Sequence, residues 1–135
     1  MINVTENPLD LAAHEAAVAV RSAGAVVSFA GVVRDHDHGR TVQWLEYQAH
    51  PSAEAVLKEV AAAVAADPVV RGIAVSHRVG VLQIGDVALA AAVATVHRAE
   101  AFAACAKLVD EVKARLPVWK HQIFTDGTDE WVNCP

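Results

Sequence analysis

Two lysines flank a proline near the end of the chain, and their placement is suited to chemistry. The 135 residues contain four lysines, and Lys113 and Lys120 lie on either side of Pro117 in the segment KARLPVWK. Proline disfavours helical geometry at the residue before it, so a helix is expected to end there. The turn would bring two ammonium groups together, which suits anion binding or acid–base catalysis. The alternative is that both lysines extend into solvent.

Other basic side chains stand at the ends of two apolar stretches. Arg34 closes GAVVSFAGVVR, and His97 and Arg98 follow VALAAAVAT where a helix is expected to begin. Backbone N–H groups at a helix N-terminus attract anions, and an arginine there opposes the helix dipole unless it faces an anion or an acid. The alternatives are a strand end in water for Arg34 and an ion pair with Glu100 or another acid for Arg98.

The segment Asp35-His36-Asp37-His38 has side chains that bind metals. A structural zinc site normally closes with four ligands, and no third or fourth ligand follows at a recognisable spacing. We therefore expect a solvated loop, which could cover a pocket, and no metal.

Composition excludes several functional classes. The length fits one domain, residues 1–135, and the net charge of −5 argues against binding nucleic acid through a general basic surface. No apolar stretch is long enough to span a membrane, and MINVTENPLD does not resemble a signal peptide, so we expect a cytoplasmic protein. Cys105 and Cys134 are expected to be free thiols.

Hydrophobic periodicity predicts an α+β fold with mainly antiparallel sheets, two long helices and a short N-terminal helix. The helices are expected at 9–21, 51–66 and 98–116. The strands are expected at 24–34, 41–49, 70–79, 87–97, 118–125 and 129–133. On the last helix, spacing of three and four predicts one apolar stripe of Phe102, Cys105, Val109, Val112 and Leu116.

The order of several segments resembles the MoaE family, the catalytic (large) subunits of molybdopterin synthase. The matching pieces are GAVVSFAGVVRDH (24–36), LEYQAHPSAEAVL (45–57), HRVGVLQIGD (77–86), VHRAEAF (96–102) and KARLPVWKHQIFTDGTDEWV (113–132). The resemblance runs from about Asn7 to Val132, which is nearly the whole chain. The resemblance implies a MoaE-like α/β hammerhead fold.

The resemblance also implies a reaction and its partners. The family forms the molybdopterin dithiolene by transferring sulfur to cyclic pyranopterin monophosphate. The sulfur arrives as a thiocarboxylate on the C-terminal glycine of a small ubiquitin-like subunit, the MoaD-like partner. The step requires no metal or redox cofactor, and neither cysteine falls at a substrate position.

The family's substrate positions fall on nine residues of this sequence. They are Val32, Val33, Arg34, His97, Arg98, Lys113, Lys120, His121 and Gln122. The resemblance implies that Lys113 and Lys120 are catalytic, and we assign Lys113 to the thiocarboxylate carbonyl and Lys120 to the pterin. Family members often carry a basic residue and a glutamate where this chain has His121-Gln122, which leaves the role of that position open.

Helix length adds a geometric argument about assembly. Arg98 and Lys113 are fifteen residues apart, or roughly 22 Å along a helix axis, too far for one compact substrate to contact both. Because the resemblance nevertheless places both residues at the substrate, we expect a homodimer with composite sites, within a heterotetramer that includes two small subunits. The alternatives to the enzyme are a non-catalytic module that binds an anion or a C-terminal tail, and a phosphate-ester hydrolase, for which no motif is present.

Overall fold

The computed structural model describes residues 1–133 and shows a mixed α+β fold with mainly antiparallel sheets, as the sequence predicts. Within this range, three helices span Leu11–Val18 (α1), Ala53–Ala65 (α2) and Arg98–Arg115 (α3). The strands span Ile2–Thr5 (β1), Ala25–Val32 (β2), His36–Asp37 (β3), Arg40–Ala49 (β4), Val70–Arg78 (β5), Gly80–Gln83 (β6), Val87–Thr95 (β7), Val118–Phe124 (β8) and Asp129–Val132 (β9).

The first sheet has the order β1-β5-β7-β2 and is covered by helices on both faces. On one face, Val18 of α1 packs against Ala74, Ala92 and Ala94, and on the other face α2 and α3 cover alternate residues of the same strands. A Cβ on Gly72 would lie 2.6 Å from the Val18 carbonyl oxygen, so α1 approaches the sheet more closely than any side chain there would permit. Burial on both faces explains why β7 is apolar from Val87 to Ala94.

The second sheet has the order β3-β4-β8-β9, and β6 also pairs with β4. Strict alternation along β4 would place Val42 on the same face as Trp44 and Glu46. A register shift between Val42 and Trp44 inserts one residue, so Val42 is buried on the same side as Leu45 and Tyr47.

Three strands were not predicted. β1 has only four residues and pairs in parallel with β5, far away in sequence, so its partner is not visible locally. The 35–40 segment, expected to be a loop, contains β3, which turns back on β4 through His38 (φ 49°) and Gly39 (φ 77°), as a two-residue hairpin turn requires. β6, expected to be part of a connection, pairs with Trp44–Tyr47 of β4.

The ends of α1 and α3 follow from their sequence. Asp10 caps α1 by accepting a hydrogen bond from the Ala13 N–H (3.3 Å), and α3 ends where Leu116 becomes extended before Pro117. The predicted stripe on α3 is wrong at Phe102, which is 63% exposed, because Ala101 and Leu108 occupy the buried face instead. Cys105 lies on that face as a free thiol, and Cys134 lies outside the described residues. Among residues 1–133, no helix is long and apolar enough to cross a membrane.

Candidate functional site

A cavity of about 340 Å³ opens where the two sheets meet beside the C-terminal end of α3. Its apolar wall comes mainly from the end of β2 and from β4 and β7, and its basic end comes from side chains on separate elements. The lining residues are Gly31, Val32, Val33, Arg34, His36, Leu45, Tyr47, His77, Ala88, Leu89, Lys113, Lys120 and Gln122. A concavity in which a few polar groups converge is the usual form of a small-molecule site, and here polar groups make up more of the exposed lining than apolar ones.

The proline break brings the two lysines to the same cavity. Lys113 lies in the last turn of α3, and the chain then extends at Leu116 and enters β8 at Val118. On β8, Lys120 pairs in register with Tyr47 of β4, and both line the cavity. The two ammonium groups therefore reach one concave surface from a helix and from a strand.

A carboxylate organises the rim near Arg34. Asp37 Oδ2 accepts a hydrogen bond from Gln122 Nε2 (2.7 Å), and Asp37 Oδ1 accepts one from Arg34 Nη2 (3.4 Å). His38 Nε2 lies 3.7 Å from the same Oδ1. The hydrogen bond from Gln122 is the main cause that holds the pKa of Asp37 below its usual value, and the positive charges of His38, Lys120 and Arg34 act in the same direction.

His77 is a cavity residue that the sequence analysis did not single out. Its ring is buried, and its Nδ1 donates to the Arg78 carbonyl oxygen (2.7 Å). It packs edge to face with the Tyr47 ring, with the ring centroids 4.9 Å apart and the ring planes at 85°. Burial is the main cause that lowers the pKa of His77 to about 4, and the charge of Lys113 adds to it. The imidazole is therefore neutral near pH 7, with its proton on Nδ1. His77 begins the segment HRVGVLQIGD, which contributes to the family resemblance, but nothing in that segment marks its side chain as inward-facing.

Three of the nine predicted substrate residues lie away from the cavity. His121 points to the opposite side of β8, where Nε2 donates to Asp129 (2.6 Å) and the ring stacks on Trp131 at 4.2 Å. His97 and Arg98 are at the N-terminus of α3, at the other end of the helix from Lys113. The other six predicted residues line the cavity together.

Arg98 and Glu100 do not form the ion pair that was the alternative to anion binding by Arg98. Within residues 1–133, Arg98 makes no ion pair or hydrogen bond through its side chain, and Glu100 Oε2 is buried without a hydrogen-bond partner. The Arg98 guanidinium is therefore available for a group outside this part of the chain.

The described residues contain no group of three or more histidine, cysteine, aspartate or glutamate side chains placed to hold a metal ion. In the 35–38 segment these side chains pair with neighbours: His36 Nδ1 donates to Asp35 Oδ1 at 2.9 Å. Cys105 does not line the cavity, and burial raises the pKa of its thiol.

Comparison with known proteins gives consistent relatives. The family model described as "MoaE protein" matches residues 4–115. A molybdopterin synthase catalytic subunit from Nostoc sp. is 39% identical over 132 residues, which cover 96% of this chain and 80% of that protein. The crystal structure of molybdopterin synthase from Staphylococcus aureus superposes with a TM-score of 0.88 at 30% identity, covering 96% of this chain and 94% of the other.

A more distant structural neighbour is a protein–protein complex of subunits 1 and 2 of molybdopterin-converting factor from Helicobacter pylori. It superposes with a TM-score of 0.76 at 18% identity, covering 98% of this chain and 90% of that chain. At this identity the likeness concerns the fold.

Proposed function

This chain belongs to the MoaE family of molybdopterin synthase catalytic subunits, and we propose that the cavity between its sheets is the site of sulfur transfer. The substrates are the C-terminal thiocarboxylate of a small ubiquitin-like subunit and cyclic pyranopterin monophosphate. One observation carries the proposal: Lys113 and Lys120, on separate elements, line one cavity together with Arg34.

The chemistry assigns each basic group a task. The thiocarboxylate sulfur bonds to the pterin and gives an acyl thioester; water then attacks the acyl carbon, so the sulfur stays on the pterin and the small subunit leaves as a carboxylate. In that attack negative charge develops on the acyl oxygen, and a fixed ammonium stabilises it. Lys113 has that role, and Lys120 contacts the pterin. Arg34 binds the phosphate through charge-assisted hydrogen bonds.

The shape of the cavity supports a tail-binding role. Val32, Val33, Leu45 and Leu89 supply apolar walls, and the lysines supply a basic end. An extended tail ending in a negatively charged thiocarboxylate fits such a groove. The Helicobacter pylori complex of subunits 1 and 2 supports a small-subunit partner for chains of this fold.

The position of Arg98 supports a shared site. Fifteen residues separate it from Lys113 on one helix, or roughly 22 Å, and its side chain makes no ion pair within residues 1–133. We propose that His97 and Arg98 complete the cavity of a second copy, so that the catalytic subunit is a two-fold dimer in a heterotetramer.

Mixing inactive variants tests the shared site. If Arg98→Ala and Lys113→Ala chains exchange subunits, about half the dimers are mixed and each has one intact site, so about a quarter of wild-type turnover should return. Subunit exchange is verified by native mass spectrometry. Exchange without recovered turnover would exclude the composite site.

One core supports the prediction that residues 1–135 act as a single domain. Buried residues of both sheets and of α2 and α3 belong to one cluster, which includes Leu45, Leu57, Val75 and Val112. The residues on which the cavity depends are thus held by a common core.

Reconstitution tests the function. The chain is mixed with thiocarboxylated small subunit and cyclic pyranopterin monophosphate, and the dithiolene product is measured. Removing the last two residues of the small subunit should abolish transfer. Binding of the small subunit without any transfer would instead favour a non-catalytic binding module, and release of phosphate without a dithiolene would favour a hydrolase.

A further inference from the structure

Asp37 is a carboxylate held at the cavity rim, but it does not itself line the cavity. Its side chain is 14% exposed, and its two oxygens are divided between different elements. Oδ2 accepts from Gln122 Nε2 on β8, whereas Oδ1 faces Arg34, which follows β2, and His38 in the hairpin turn. Arg34 and Gln122 both line the cavity, so Asp37 contacts two cavity residues from behind.

The hairpin that carries Asp37 is fixed on its other side by Arg40. The Arg40 guanidinium lies 3.6 Å from the centre of the Phe124 ring, hydrogen-bonds to Thr128 and lies 3.9 Å from Glu130. Asp37 and Arg40 are paired residues of β3 and β4. The position of the carboxylate is therefore determined by contacts with β8 and β9, and not by the two-residue strand alone.

The Gln122 side-chain amide depends on the Asp37 carboxylate as its hydrogen-bond acceptor. The side chain is 3% exposed, and its amide nitrogen is hydrogen-bonded to Asp37 at 2.7 Å. A buried amide N–H without an acceptor is costly, and a hydrogen bond to a charged group is stronger than a neutral one. The positive charge of Lys120, two residues earlier on the same face of β8, also interacts favourably with Asp37.

We propose that Asp37 is a positioning residue for sulfur transfer, which orients Arg34 and Gln122 and places one negative charge beside Lys120. This rests on the proposed function of the cavity. One negative charge is required at the hydrogen-bonded pair of positions 37 and 122, and the side chain at either position can carry it.

A charge exchange across the hydrogen bond tests this. Asp37→Asn keeps the shape and an acceptor for Gln122 but removes the charge, so kcat/KM should fall about 10-fold, chiefly through KM for the pterin, as expected for loss of one charge-assisted contact. Gln122→Glu sets two carboxylates face to face, and a loss of similar size is expected. The double variant, Asp37→Asn with Gln122→Glu, restores one amide donor and one carboxylate acceptor with their positions exchanged. Its kcat/KM should return to within about threefold of wild type.

Asp67→Asn is the matched control, because it removes the same charge from an exposed side chain that does not line the cavity, keeps an acceptor for the Val69 N–H, and should leave kcat/KM at the wild-type value. Wild-type kcat/KM in Asp37→Asn, or a double variant as impaired as the single ones, would overturn the proposal. Titration of cyclic pyranopterin monophosphate without the small subunit gives a readout independent of turnover. If the wild type binds pterin but transfers no sulfur, the proposed function fails, while the charge exchange is still decided by the binding constants.

Discussion

The two sheets of this protein differ in burial and in the charged residues that they carry. The first sheet is covered on both faces, and its strand β7 is buried along almost its whole length, with Ala90–Ala94 inaccessible to solvent. The second sheet leaves Trp119 and Trp131 partly exposed and carries Lys120, Gln122 and the Asp37 hairpin. Small apolar side chains give the first sheet close packing, whereas the second sheet arranges charges at a cavity. Substitutions in the two sheets should therefore be separable by their effects on stability and on turnover.

The largest effect is expected from the cavity lysines. Lys113→Ala and Lys120→Ala should each lower turnover on the order of 10²-fold or more, as loss of one oxyanion donor does. The free energy of unfolding should change little, because neither side chain is part of the buried core. Single-turnover sulfur transfer and urea unfolding are measured on the same preparations. Near-wild-type turnover in both variants would refute their catalytic assignment.

Enlarging an alanine of β7 should lower the stability and leave turnover unchanged, the opposite of what is expected for the lysine variants. Ala92 is inaccessible to solvent and packs under α1, so Ala92→Val adds volume where the sheet and helix leave none. The expected loss is about 1–3 kcal/mol of unfolding free energy, with unchanged turnover per folded molecule. Val81→Thr on the exposed part of β6 is the control, with a change within about 0.5 kcal/mol. Equal destabilisation by both would contradict the contrast between the sheets.

His77 connects the two regions, because it belongs to the first sheet and lines the cavity. Its pKa falls from 6.5 to about 4 on folding, so the unfolded chain binds the extra proton between these values. The neutral His77 ring contributes its full share to the free energy of unfolding above pH 6.5, and this share is lost as the pH falls towards 4. Between about pH 7.5 and about pH 5 the free energy of unfolding should fall by about 2 kcal/mol. Urea unfolding at both pH values should show this difference, and His77→Gln should reduce it.

Much of the fold could be predicted because its signals are local. Asp10 caps α1, Pro117 stops α3, and the Asp126-Gly127 turn joins β8 to β9. The missed strands depend on distant partners, as β1 does on β5. Phe102 was assigned to the core because spacing identifies a stripe but not which of its edges faces the sheet.

The site could be predicted less completely than the fold. The resemblance supplied the two lysines and Arg34, which do line one cavity. Alternation along β8 already places His121 on the opposite face from Lys120 and Gln122. In the structure the His121 side chain faces away from the cavity and stacks on Trp131. His77 and Asp37 could not be found from the sequence, because their roles arise from contacts between segments that are far apart: Asp37 and Gln122 are separated by 85 positions.

The proline break also constrains how this chain can change in length. Lys113 and Lys120 are connected by a helix end and a strand start, and an α-helix rotates about 100° per residue while a strand alternates faces. Inserting or deleting one residue between them would turn one ammonium group out of the cavity. Insertions should therefore be tolerated beside the turns at Gly85 and Gly127, which lie in open space although their own positive φ values favour glycine, and changes of length should be selected against between residues 113 and 120.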